Sequence, residues 1–267
     1  MPLLVFGSAS SLATLRLGPP PMPLMMAVAL VALLWGGICR LSIREVSWAE
    51  RVQHRFRPRV TALRVWVSAA PMTVGYVAIW SVTSVIQQGT PASIQDVVDR
   101  YNSTNLTLLA HNPVRVLFSS AFIVSDQAWG FSGYVLVYLL VVAALERRLG
   151  WRRTLVVWLA AHVVGSLATA VTEAVLIHYE VLPKTVSFAS DVGVSYILVG
   201  SCGAYLWFAS RTGRWFVGVG LLAGVGLPLL ISHTVWDLGH AYATLLGMVV
   251  GWAVRKARSE VIDHGPG

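Results

Sequence analysis

Apolar residues fall along this chain in long blocks, and polar residues collect between them. The blocks run roughly over 22–40, 61–86, 129–145, 153–177, 190–210, 214–232 and 234–254. Each approaches the ~20 residues that a helix needs to cross the hydrocarbon core of a bilayer. Helices are expected because a segment in lipid must satisfy its own backbone N–H and C=O groups, and no alternating pattern suggests a β-barrel. The pattern predicts an all-α polytopic membrane protein. There is no tandem repeat, and no stretch is long and polar enough to form a separate soluble domain. The linker 87–128 departs from the pattern. Its second half, NPVRVLFSSAFIV (112–124), is too apolar for a solvated loop and too short to span, which predicts a re-entrant or interfacial element.

Composition agrees. The chain is 56% hydrophobic and 12% charged, against about 25% charge in a soluble domain. The net charge of +8 would suit a nucleic-acid partner, but its distribution excludes one. The basic residues cluster at 51–59, 146–153, 211–214 and 255–258. In a seven-span arrangement all four clusters fall on one side. The positive-inside rule makes that side cytoplasmic, with the C-terminus inside and the N-terminus outside. Cys39 and Cys202 both lie in apolar blocks, with neither a disulfide framework nor metal-ligand spacing. Residues 1–21 lack the succession of basic region, apolar region and small-residue cleavage site, so no signal peptide is expected.

Ionisable residues at membrane depth are costly and point to function. The candidates are His162, Glu173, Asp191, His233, Asp237 and His240, joined by Ser195 and Ser201 as possible nucleophiles. Segments 190–210 and 234–254 both enter from outside. Counting at 1.5 Å per residue puts Ser195 roughly 7 Å deep and His240 roughly 9 Å deep. His233 falls at the rim, His162 in the opposite half, and Ser201 about 9 Å below Ser195. A Ser and a His at one depth can act as nucleophile and base, or can simply hydrogen-bond two helices together. Small residues favour close approach: Ala243, Gly247 and Gly251 form one stripe after His240, and Gly200-Ser201-Cys202-Gly203-Ala204 follows Ser195. Asp191 is expected to N-cap its helix. Asp237 either orients His240 or meets water at the rim.

These residues resemble the rhomboid family of intramembrane serine proteases. That family has a Gly-x-Ser-Gly motif with Gly five and eight positions after the Ser. Here Gly193-Val194-Ser195 is followed by Gly200 and Gly203. The family's last core helix carries a His with small residues at +3 and +7, as His240, Ala243 and Gly247 stand here. ALERRLGWRR (144–153) is similar to the family's acidic-Arg-Leu-Gly turn, and NPVRVLFSSAF to its membrane-embedded first loop, with Val114 in place of a Trp. The resemblance covers about 61–254. It implies a rhomboid-like six-helix core, preceded by a segment 1–60 with one extra transmembrane helix and a basic loop, and followed by a cytoplasmic tail, 255–267.

The resemblance also implies a function: cleavage in or near the transmembrane helices of partner proteins in a bacterial plasma membrane, by Ser195 and His240, with no metal or cofactor. Two departures bear on activity. Tyr196 replaces the Gly after the nucleophile. The family's oxyanion-stabilising His and Asn fall on Gly130 and Tyr134. Losing one oxyanion donor typically costs about 10²–10³ in rate. The Tyr134 hydroxyl, or backbone N–H groups near Ser195 and Gly193, would have to substitute. The alternative is a catalytically inactive relative that binds partner helices without cutting them. A transporter would need two matched halves with broken helices, which the chain lacks.

Overall fold

The computed structural model describes residues 21–124 and 130–263. The absence of a signal peptide was read from residues that lie almost wholly outside this range. Among the described residues the chain is helical and has no strand. Helix α1 (Pro21–Ile43) is mostly apolar, and none of its most apolar stretch is buried. A tight turn with Glu45 at φ +62° leads into α2 (Ser47–Ser68). The single segment expected at 61–86 is in fact two helices. The chain bends by 92° before α3 (Pro71–Gln88), so the basic loop and the start of that segment form one polar helix, α2. Two causes are local. Pro71 has no N–H to donate and disfavours helical geometry at Ala70, whose φ and ψ are −142° and 58°. The third is tertiary: the buried Glu146 carboxylate accepts the N–H groups of Met72 (3.0 Å) and Thr73 (2.7 Å), capping α3 from a distant helix.

The linker expected to be re-entrant or interfacial forms three short helices, α4 (Ala92–Tyr101), α5 (Leu106–His111) and α6 (Pro113–Ser120). The Asn105 side chain caps α5 at the Leu108 N–H. Next comes α7 (Gly130–Val137), joined by a π-turn at Tyr138–Val142 to α8 (Ala143–Leu149). Gly150, at φ +79°, turns the chain into α9 (Trp151–Leu159), which continues through a π-turn at Ala160–Val164 into α10 (Gly165–His178). Helix α11 covers only Val194–Tyr205. It is followed by α12 (Arg211–Leu221), a π-turn at Leu222–Gly226, α13 (Leu227–Ile231) and α14 (Val235–Asp263). Helix α14 carries on through most of the expected tail.

By length and composition, 22–43, 151–178 and 211–231 can each cross a membrane, and the bent pair α2–α3 adds a fourth candidate. The expected segments 129–145, 190–210 and 234–254 are not among these candidates, and helix α11 is short for a crossing. Its 12 residues span about 18 Å, less than the ~30 Å hydrocarbon core. The helix within the segment expected at 190–210 is therefore shorter than a full crossing: it begins at Val194 and ends at Tyr205.

An aromatic cluster binds α3, α7, the first π-turn and α9. Tyr76 packs on Trp158 (ring centroids 4.9 Å apart) and on Tyr138 (5.6 Å), and Trp80 packs on Phe131 (5.4 Å). Val194 and Ile197 of α11 rest on this cluster. At the other end two of the basic clusters, 146–153 and 255–258, meet. Arg147 lies over Trp66 and Arg148 over Tyr205, Arg255 donates to the Trp207 carbonyl, and Arg258 to the Arg148 carbonyl.

Candidate functional site

Helices α11 and α14 meet backbone to backbone. A Cβ on Gly247 would lie 1.9 Å from the Gly200 carbonyl oxygen, and one on Gly203 would lie 2.4 Å from that of Thr244. The stripe of small residues is what permits this contact. It brings the Ser195 hydroxyl to 2.8 Å from His240 Nε2, within a normal hydrogen bond. Both residues are half-buried. With the hydroxyl as donor, Nε2 is the unprotonated nitrogen and the imidazole carries its proton on Nδ1. A hydroxyl paired with an unprotonated imidazole nitrogen is the arrangement that a serine nucleophile needs.

The start of α11 is held from several sides. Tyr138, in the first π-turn, donates to the Val194 carbonyl (2.7 Å), and the Gly193 N–H donates to the Ser120 carbonyl at the end of α6 (2.9 Å). The first-turn N–H groups of α11 have no partner within the helix. Gly193 itself is required by His162. A Cβ there would fall 2.1 to 2.9 Å from three atoms of that ring. His162 Nε2 donates to the Leu117 carbonyl (2.7 Å), so the ring pins α6 beside the Ser195 turn.

Depth counting set His162 in the opposite half of the membrane from Ser195. The ring nevertheless packs against Gly193, at the start of α11. His162 is 16 residues before the end of α10, about 24 Å. The signal available in the sequence was a His in the apolar middle of its segment.

Tyr196 does not cover the nucleophile. Its ring is fully buried and stacks on His240, with centroids 5.3 Å apart. Its hydroxyl donates to Asp191 (3.0 Å) and lies 3.2 Å from that of Thr169. Two glycines make the room. A Cβ on Gly239 would come within 1.9 Å of the Tyr196 hydroxyl, and one on Gly165 within 3.1 Å of its ring. Here the expectation for Asp191 is corrected. It is not an N-cap, since α11 starts at Val194 with Gly193 before it. The Asp191 carboxylate instead receives the hydroxyls of Tyr196 and Thr104, at 3.0 and 3.2 Å.

Asp237 makes a capping box with Thr234. Its carboxylate accepts the Thr234 N–H (3.1 Å) and hydroxyl (2.6 Å) at the start of α14, and so fixes the helix rather than bonding His240. Tyr134 packs against the aromatic cluster. Ser201 is buried with no hydrogen-bond partner for its hydroxyl. Glu173 is buried beside Asp191 in a small polar cavity, and His233 is exposed at φ +52°. Among the described residues no group of three His, Cys, Asp or Glu side chains is placed to hold a metal ion.

A family model of rhomboid-like proteins matches residues 65–260. The chain belongs to the rhomboid-like protein family. No curated protein and no solved structure matches it. The match begins near the end of α2, so α1 and most of α2 stand outside the part of this rhomboid-like protein that carries the family pattern.

Proposed function

We propose that this rhomboid-like protein is an intramembrane serine endopeptidase, with Ser195 as nucleophile and His240 as general base. The observation that carries this reading is the 2.8 Å contact between the Ser195 hydroxyl and His240 Nε2. Ser195 Oγ attacks the carbonyl carbon of a peptide bond in or near a substrate's transmembrane helix, and its proton passes to Nε2. The tetrahedral oxyanion needs donors. With Gly130 and Tyr134 where the family has His and Asn, the free N–H groups at the start of α11 supply them, that of Ser195 first. The imidazolium then gives its proton to the leaving amine as the C–N bond breaks. Water, deprotonated by His240, hydrolyses the acyl-enzyme and releases Ser195. Tyr196 holds the imidazole from beneath. Substrates enter laterally from the lipid, and the basic end of the fold, with the C-terminus, faces the cytoplasm. The core runs over 61–254, with 1–60 as an added N-terminal segment.

A second reading has its own support. The two missing oxyanion side chains suit a protein that binds transmembrane helices without cleaving them. One experiment separates the two: a fluorophosphonate probe on purified protein in liposomes, beside Ser195→Ala and His240→Ala. The proteolytic reading expects labelling that disappears in both variants. Folded protein that takes no label sinks that reading and leaves the helix-binding one.

A further inference from the structure

We propose that the cleft between α1 and α2 binds the headgroup of an anionic phospholipid. This site does not depend on catalysis by Ser195. The cleft is a cavity of about 400 Å³ lined by Trp35 and Cys39 of α1 and by Gln53, Arg57, Thr61 and Arg64 of α2. The four α2 positions recur at helical spacing, so both guanidiniums stand on one stripe that faces α1. No carboxylate lines the cavity.

These two arginines are not held by an aromatic ring, as five others are. Arg59, Arg147, Arg148, Arg152 and Arg255 each rest on an aromatic ring. Among the described residues, Arg57 and Arg64 have no ring, carboxylate or carbonyl partner. The cleft between them is already held in shape. Ser42 of α1 donates to the Gln53 side chain (2.5 Å), and the Gln53 amide reaches Cys39 Sγ (3.8 Å).

The surroundings specify a lipid rather than a soluble anion. Arginine forks match phosphate oxygens two by two. The cleft lies at the basic end, where headgroups meet the protein. Its other wall is α1, mostly apolar and exposed. Trp35 offers an indole of the kind that sits at headgroup level. A phosphate between Arg57 and Arg64 would let its acyl chains run along α1. A zwitterionic headgroup brings its own cation to the same place and is disfavoured.

The test uses the full-length protein in detergent, mixed with dioleoylphosphatidylglycerol or dioleoylphosphatidylcholine and read by native mass spectrometry. Wild type is expected to retain one phosphatidylglycerol per chain in preference to phosphatidylcholine. R57Q/R64Q should lose that adduct by roughly tenfold or more. R211Q/R214Q removes the same charge from the same end and should keep it. Both target arginines are exposed, and an unchanged helical circular dichroism spectrum will establish folding. Equal loss in the two double variants would mean diffuse attraction to a basic surface and would overturn the site. So would equal retention of the two lipids. Displacement of the lipid by millimolar inorganic phosphate would assign the cleft to a free anion and overturn the lipid assignment.

Discussion

Helix α14 has glycine-rich helices on two sides, and glycine acts differently in each. Toward α11, every absent side chain is filled by the neighbour. Gly247 meets the Gly200 carbonyl, Gly203 the Thr244 carbonyl, and Gly251 the Ala204 backbone, all at distances that no Cβ could accept. Along the middle of α12 and into the π-turn after it the situation is reversed. A Cβ on Gly218, Gly220 or Gly224 would meet nothing within 4 Å, and Trp215, Phe216, Leu230 and Ile231 lie exposed to lipid. In the first case glycine lets two backbones touch, which fixes Ser195 against His240. In the second it leaves a helix with few partners. The proposed enzyme thus has one rigid wall, carrying the chemistry, and one loosely held wall, where a substrate helix could enter.

The strongest way to break this comparison is Gly247→Ala. The added methyl would overlap the Gly200 carbonyl, and the two backbones must separate. Overpacking of this kind typically costs about 1–3 kcal/mol, occasionally more, and displacement by even 1 Å separates a nucleophile from its base. The expected result is a clear fall in thermal stability in detergent, together with loss of fluorophosphonate labelling. Wild-type labelling in Gly247→Ala would mean that the dyad does not depend on this contact.

A somewhat smaller effect is expected at the mouth of the same wall. Gly193→Ala collides with the His162 ring and should destabilise by about 1–3 kcal/mol. The collision predicts coupling: with His162→Ala also present, the loss should be smaller than the sum of the single losses. Additive losses would show that the two residues act separately and that His162 does not shape the Ser195 turn.

The rigid wall was legible in the sequence, and much of what surrounds it was not. Ser195, His240 and the stripe Ala243, Gly247, Gly251 could be read because both helices enter from one end and small residues recur at helical spacing. The role of His162 was hidden by the assumption that every apolar block starts at the membrane surface. Helix α11 starts only at Val194, after a non-helical stretch that carries Gly193 to the His162 ring. The bend before α3 was signalled by Pro71, but an unbroken apolar run through 61–86 masked it. The Glu146 cap could not be read at all, since its partners lie more than 70 residues away. Whether Tyr196 blocks the nucleophile could not be read from the sequence. Only Gly165 and Gly239, distant in the chain, show where its ring goes.

The smallest effect sharpens the comparison most. Gly220→Ala adds a methyl that faces open space, in a helix interior where alanine is intrinsically favoured over glycine by up to about 1 kcal/mol. Thermal stability should stay level or rise slightly, and labelling by a small fluorophosphonate should not change. If α12 must bend to admit a substrate helix, a stiffer α12 should slow cleavage of a transmembrane substrate while the small probe reacts as before. A loss of stability as large as that of Gly247→Ala would erase the distinction between the two walls. Unchanged cleavage would keep the distinction in packing but remove its link to substrate entry, because a wall that opens must feel the loss of its glycine.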